Sequence, residues 1–202
     1  MARIQAIFSD VGGVLGTNGW DRGARQKAAE SFKIDWLEFE DRHELVVNGF
    51  ETGQLGLDEY LERTVFYRPR DFSKEQFRDF MFAQSQPFPE ALALYRRLAQ
   101  SKKYLLVTLN NESLELNLHR IQLFGLREIF SVFLSSCFLG LKKPHDAIYR
   151  LALKLTQRQP QECVFIDDRL LNVERARQWG MQTIHCQGPE KLESQVRELM
   201  EI

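Results

Sequence analysis

Five short apolar stretches, at residues 4–9, 104–109, 129–134, 163–166 and 182–186, run on without polar alternation. A strand wetted on one face alternates, whereas a strand covered on both faces need not. The pattern therefore predicts an α/β fold, a parallel sheet with helices above and below. Helical stretches separate the later runs. Residues 89–100 open on Pro89 and carry Leu92, Leu94, Tyr95 and Leu98, and 113–124 repeats Leu114, Leu116 and Leu118 before Ile121. Residues 146–156 and 170–179 read the same way, the latter closed by Gly180. Alternating strands and helices call for right-handed crossovers, which bring the carboxyl ends of the strands to one edge.

The interval between the first two strands is far longer than the dozen or so residues a crossover needs. Residues 17–87 hold no strand but four amphipathic windows, 25–32, 36–47, 57–66 and 73–82. The last opens on Ser73 with Gln76 three residues on, a capping-box spacing. This interval is expected to form an inserted helical cap on a sheet domain built from 1–16 and 88–202, with Gln86-Pro87-Phe88-Pro89 as the rigid return.

A chain of 202 residues can bury a real core, and 44% hydrophobic with 27% charged residues is ordinary for a globular protein. The net charge of −1 suggests neither a nucleic-acid partner nor binding to an anionic membrane surface. No stretch approaches the roughly 20 apolar residues of a membrane span. The three cysteines are odd in number and lack CxxC spacing, which reads as free thiols in a reducing compartment; a cytoplasmic protein is the expectation. Composition says nothing of the oligomeric state.

The chemistry-bearing residues fall where strands end, the edge at which open α/β sheets bind ligands. The first run stops at Asp10, followed by Val11, Gly12 and Gly13. The second leads into Val107-Thr108-Leu109-Asn110-Asn111, and the third is followed by Gly140-Leu141-Lys142-Lys143-Pro144. The fourth ends Phe165-Ile166-Asp167-Asp168-Arg169, with Asn172 one turn on. Singly, each has a plain structural use: a turn aspartate, a strand-end hydroxyl, a solvated lysine, a helix cap. Gathered at one edge, three carboxylates repel and need a cation.

The order Asp, Thr, Lys-Pro, Asp-Asp resembles the haloacid dehalogenase-like (HAD) hydrolase superfamily over nearly the whole chain. Asp10 matches its first motif, Thr108 the second, Lys143 the third and Asp167-Asp168 the fourth. The contexts Asp-x-Gly-Gly-Val-Leu, Gly-x-x-Lys-Pro and Phe-x-Asp-Asp are similar to the phosphatase branch that includes sugar-phosphate phosphatases. The resemblance implies a three-layer Rossmann-like core with an α-helical cap, Mg²⁺ as cofactor and a small phosphorylated metabolite as partner. It implies hydrolysis of a phosphate monoester through an aspartyl-phosphate on Asp10. The Thr108 hydroxyl, the backbone N–H groups that follow it at Leu109 and Asn110, and Lys143 would then bind the phosphoryl oxygens. Asp10, the carbonyl of Gly12 and Asp167 would bind the metal, with Asp168 and Asn172 in support.

One departure stands out. Most such phosphatases carry a second aspartate two positions after the nucleophile, as the acid and base of the reaction; here that position is Gly12. A positioned acid or base contributes about 10²- to 10⁴-fold in rate. Either the leaving group needs no proton, as in an acyl phosphate or sugar 1-phosphate, or an acid enters from the cap, with His43, Glu44 and Glu51 available. The same glycine would suit a metal-free dehalogenase, which has no use for the acid pair, or a HAD-fold binding or regulatory protein without turnover. Trp20, with Arg22 and Arg25, reads as a substrate contact or as an apolar anchor with solvated arginines.

Overall fold

The computed structural model describes residues 3–200. Strands β1 (Ala6–Ser9), β2 (Leu105–Asn110), β3 (Val132–Ser135), β4 (Cys163–Asp167) and β5 (Gln182–His185) form one parallel sheet in the order β3-β2-β1-β4-β5. The order runs outward from β1 in both directions, so the switch point of the sheet lies at the carboxyl end of β1, where a crevice opens. Ser9 pairs with Thr108 on one side and Ile166 on the other, which levels the three central strand ends.

Successive strand residues feed opposite cores, which is why the runs show no polar alternation. Ile7, Leu106, Val164 and Ile184 pack with Tyr95 and Leu98 of one helix and Leu192 and Val196 of another. Ala6, Phe8, Val107, Leu109 and Phe165 pack on the other face with Ile148, Tyr149 and Ala176. Ile129 and Phe130, read above as the start of the third strand, are buried residues of a turn that precedes β3.

The long interval is helical: α1 (Arg22–Ser31), α2 (Trp36–Glu51), α3 (Leu57–Thr64) and α4 (Lys74–Ala83). Asp21 caps α1, starting it before residue 25, and the Ser73–Gln76 capping box is present at α4. These helices share an apolar cluster of their own, with Trp20, Phe39, Phe50, Tyr60, Leu61, Phe77 and Met81. The sheet helices are α5 (Pro89–Ser101), α6 (Leu114–Leu123), the short α7 (Ser136–Leu139), α8 (Asp146–Thr156), α9 (Leu170–Gln178) and α10 (Pro189–Met200). Where the chain crosses between the two parts, Thr17 N–H donates to Gln86 O (2.8 Å), and Thr17 Oγ1 accepts from Gln86 N–H (2.9 Å). Cys137, Cys163 and Cys186 are free, and no helix among the described residues is long and apolar enough to cross a membrane.

A buried relay runs through the helical part. Trp20 Nε1 donates to Tyr60 Oη at 2.9 Å, and Tyr60 in turn lies 2.8 Å from His43 Nδ1, which must then accept. Burial, seconded by the Arg25 charge, pushes the His43 imidazole down to about 4. A base depressed from 6.5 in this way is neutral in the fold, so stability falls as pH drops from 6.5 towards 4, by roughly 3 kcal/mol if the whole shift is realised. Urea denaturation at pH 7.5 and 4.5 should show that loss in the wild type. His43→Asn, which keeps an acceptor but does not titrate, should show a difference smaller by about 2–3 kcal/mol. An equal acid sensitivity in both proteins would remove His43 from the account.

Candidate active site

Asp10 is the first residue beyond β1. Its N–H donates to Ile166 O (2.8 Å), and its Oδ1 accepts from Val11 N–H (2.7 Å). Its other oxygen lies 2.9 Å from Lys143 Nζ, which also donates to Asp167 Oδ2 at 2.5 Å. The lysine is fixed through its backbone. Asn111 Oδ1 accepts from Lys143 N–H and Asn111 Nδ2 donates to Lys143 O, both at 2.9 Å. Burial works against the Lys143 charge, but Asp10 and Asp167 outweigh it and hold the ammonium above the ordinary lysine value. Burial is also the largest influence on Asp10; with Asp167 and Asp168 nearby, it overrides Lys143 and pushes the carboxyl up to about 7.

The two adjacent acids have different surroundings. Asp167 is fully buried and both its oxygens are used: Oδ1 accepts from Arg169 N–H (2.8 Å) and Asn172 Nδ2 (3.0 Å), and Oδ2 from Lys143 and Asn172 (3.1 Å). Asp168 Oδ2 accepts from Asn18 Nδ2 (3.0 Å), while its Oδ1 is buried without a partner. Gly13, at φ 70°, lies under this carboxylate; a Cβ there would come within 2.3 Å of it. One oxygen from each of Asp10, Asp167 and Asp168 falls within 4.8 Å of the others. Hard oxygen donors, an orphaned buried oxygen and a carboxyl raised by burial and by its acidic neighbours together suit a small divalent cation.

Asp10 and Lys143 open on a cleft of about 340 Å³ whose walls also include Gly12, Asn18, Trp20, Glu51, Asn111, Glu112, Arg120, Lys142 and Asn172, while Asp168 faces a neighbouring recess with Gly13 and Asn18. Glu51 at the end of α2 and Lys142 pair across it at 2.8 Å, joining the helical part to the sheet part. Glu112 is buried beside Arg120, its Oε2 3.3 Å from Arg120 Nη1; burial raises this carboxyl, with Arg120 opposing.

Several sequence expectations need correction. Thr108 is fully buried inside β2 rather than at its end, and its Oγ1, like Asp168 Oδ1, has no partner. The strand continues two residues further, as a β-branched residue readily allows. The Leu109 side chain therefore sits in the core and the Asn110 side chain bonds Asn117 and Ser135, which leaves the expectation for their backbone N–H groups as it stood. His43 is buried against Tyr60 and Glu44 is exposed, neither on the cleft wall; of the three cap acids considered, only Glu51 is there. Arg25 is buried and forms a two-pronged pair with Glu40, at 2.8 and 2.9 Å, so it is not a solvated arginine. Trp20 does line the cleft, with its N–H spent on Tyr60.

Asn18, Glu112 and Arg120 went unread in the sequence, and Asn111 was noted in a strand-end stretch but given no role. Arg120 carried a signal, lying one turn beyond Leu116 and next to Ile121 on the face α6 buries. A charged residue there must have a partner.

Fold and site together define a HAD-type hydrolase scaffold. The family model for haloacid dehalogenase-like hydrolases matches residues 4–180, and the chain belongs to that family. Among curated proteins it is 34% identical to mouse acyl-CoA dehydrogenase family member 10 over 74 residues, 37% of this chain and 7% of that protein. It is 27% identical to Arabidopsis thaliana flavin mononucleotide hydrolase 1 over 160 residues, 79% of this chain and 64% of that protein. The chain thus spans less than two thirds of either relative. A HAD-like hydrolase from Porphyromonas gingivalis superposes with a TM-score of 0.78 at 21% identity over 100% of both chains. A HAD family enzyme from Bacteroides thetaiotaomicron, in complex with magnesium and inorganic phosphate, gives 0.73 at 20% identity over 90% of this chain and 93% of that one. An L-2-haloacid dehalogenase gives 0.61 at 20% identity over 89% of this chain and 83% of that one.

Proposed function

We propose that this hydrolase is a Mg²⁺-dependent phosphatase of a small phosphate monoester, a phosphorylated metabolite of the size the cleft admits, sugar phosphates among them. The observation that carries the reading is the buried, unpartnered Oδ1 of Asp168 beside Asp10. A metal-free dehalogenase would have no reason to bury a second acid there with a lone pair unused. The magnesium and phosphate complex of the Bacteroides enzyme supports the same reading.

In this reading Asp10 attacks phosphorus and carries the phosphoryl group as an aspartyl-phosphate. Lys143 offsets the charge gathered on Asp10 and on the equatorial oxygens. Asn111 sets the lysine backbone, while Asn172 and Lys143 hold Asp167. Asp10, Asp168 and the carbonyl of Gly12 would hold Mg²⁺, which supplies charge neutralisation at the phosphoryl group. Asp167 thereby exchanges the ligand role expected from sequence for that of a positioning residue. Contact between cap and sheet over the cleft would keep water from the first transfer.

Phosphate release from p-nitrophenyl phosphate should require Mg²⁺ and stop in excess chelator. Asp168→Asn should raise the Mg²⁺ concentration for half-activity by about tenfold or more. A panel of phosphorylated metabolites then ranks substrates. Chloride release from 2-chloropropionate in the absence of metal would establish the dehalogenase instead, and no turnover of either compound would leave a binding protein.

A further inference from the structure

The place where the second motif-one aspartate would stand is filled. A Cβ built on Gly12 would lie 2.8 Å from Asn18 Oδ1 and 3.4 Å from Arg120 Nη1. Arg120 is almost completely buried on α6, yet it forms part of the cleft wall. Its guanidinium is pinned on two sides: Nε donates to Ser85 Oγ at 3.1 Å, and Nη2 to Thr17 O at 3.0 Å. The remaining nitrogen, Nη1, is the one beside Gly12, with Glu112 Oε2 3.3 Å away as counter-charge. A guanidinium so held is a fixed donor that does not release its proton near neutral pH.

We propose that Arg120 serves the leaving-group side of the reaction. Nη1 hydrogen-bonds the departing oxygen and stabilises it as an anion, which confines good substrates to phosphoryl compounds whose leaving group departs unprotonated. Acyl phosphates head that class, followed by phosphates of acidic hydroxyls. The inference rests on the phosphatase reading of Asp10 and narrows its substrates. In the first step an Asp10 oxygen bonds to phosphorus, and the bond from phosphorus to the leaving oxygen breaks. That oxygen keeps the electron pair and leaves as carboxylate or phenolate against Nη1. In the second step water bonds to phosphorus, the bond to Asp10 breaks, and the proton lost by water leaves with the phosphate. No acid is needed at position 12. An aspartate introduced there would pair with Nη1 and stay ionised, unable to donate.

The test is a leaving-group series, kcat/KM with Mg²⁺ for acetyl, p-nitrophenyl, phenyl and ethyl phosphate. A positioned acid flattens such a series, whereas a donor that cannot give up its proton leaves it steep. We expect the rates to fall in that order, by roughly 10⁴-fold from acetyl to ethyl phosphate. Rates within tenfold of one another overturn the proposal while leaving the phosphatase reading intact. Phosphate release from none of the four, or release that survives Asp10→Asn, overturns the phosphatase reading itself.

Two variants locate the effect on Arg120. Arg120→Lys, with folding checked by circular dichroism, should lower phenyl phosphate turnover at least tenfold more than acetyl phosphate turnover. A residue that only braced the fold would lower both alike. Should that variant not fold, Glu112→Gln keeps the shape and removes the counter-charge, and should narrow the acetyl-to-phenyl gap. A tenfold selective loss on phenyl phosphate in Glu112→Gln would make Glu112 the proton donor and overturn the assignment to Arg120.

Discussion

Asp10→Asn is expected to remove phosphate release while the protein stays folded. Loss of a nucleophile costs on the order of 10⁴-fold or more in turnover, because no neighbouring group takes over its bond to phosphorus. The structure adds a stability signature. Burial raises the Asp10 carboxyl to about 7, so without metal its ionised form is disfavoured in the fold. The sign follows from linkage. A carboxyl with a raised folded-state value favours the fold below its ordinary value of 3.8, and that advantage is lost as pH rises towards 7. The metal-free wild type should therefore lose thermal stability between pH 4 and 7 through this group, and Asp10→Asn should lose less. Adding Mg²⁺ at pH 7.5 should raise the melting temperature of the wild type more than that of the variant. Turnover that persists in Asp10→Asn would place the nucleophile elsewhere.

Lys143→Met should be the most damaging single change to the resting protein. The ammonium is buried between Asp10 and Asp167, at 2.9 and 2.5 Å. A methionine fills most of the volume and leaves those two carboxylates, with Asp168 close by, uncompensated. Breaking a buried pair from one side costs about 3–5 kcal/mol. For a chain of this size that corresponds to a fall of roughly 6–20 °C in melting temperature. Mg²⁺ should return part of the loss, since a cation near Asp10 and Asp168 restores some of the missing charge; Asp167, held also by Asn172, depends on it less. A variant as stable as the wild type in the absence of metal would show that the pair contributes nothing net.

Much of the sheet was legible because its strands are buried on both faces and hydrophobicity alone marks them. The exception at 129–130 is instructive: a turn that packs into a core is as apolar as a strand, and length does not separate the two. The end of β2 falls one residue beyond the expected Leu109. Thr108 looked like a strand-end hydroxyl, but a threonine is equally at home within a strand, and the polar residues that end this one are Asn110 and Asn111.

Asp10 and Asp167-Asp168 were readable because each follows an apolar run directly, and Lys143 because it stands in a Gly-x-x-Lys-Pro stretch between the third run and the next helix. Which of the adjacent acids keeps a free oxygen depends on Asn172, Arg169 and Asn18, whose bonds are matters of geometry. Asn18 and Arg120 lie outside those strand-end runs, and only the folded chain brings them over Gly12.

The chain leaves the sheet at Thr17 and comes back at Gln86, and these two residues bond directly to each other. Everything between them is a closed excursion with a single root. None of its residues lies in the five strands, so exchanging that excursion should keep their pairing while breaking ties such as Glu51–Lys142 and Ser136 Oγ–Glu51 O, and joining the two root residues by a tight turn adds little loop-closure entropy. Leu116, which packs among the excursion's residues from α6, is the apolar side chain such an exchange would have to cover again.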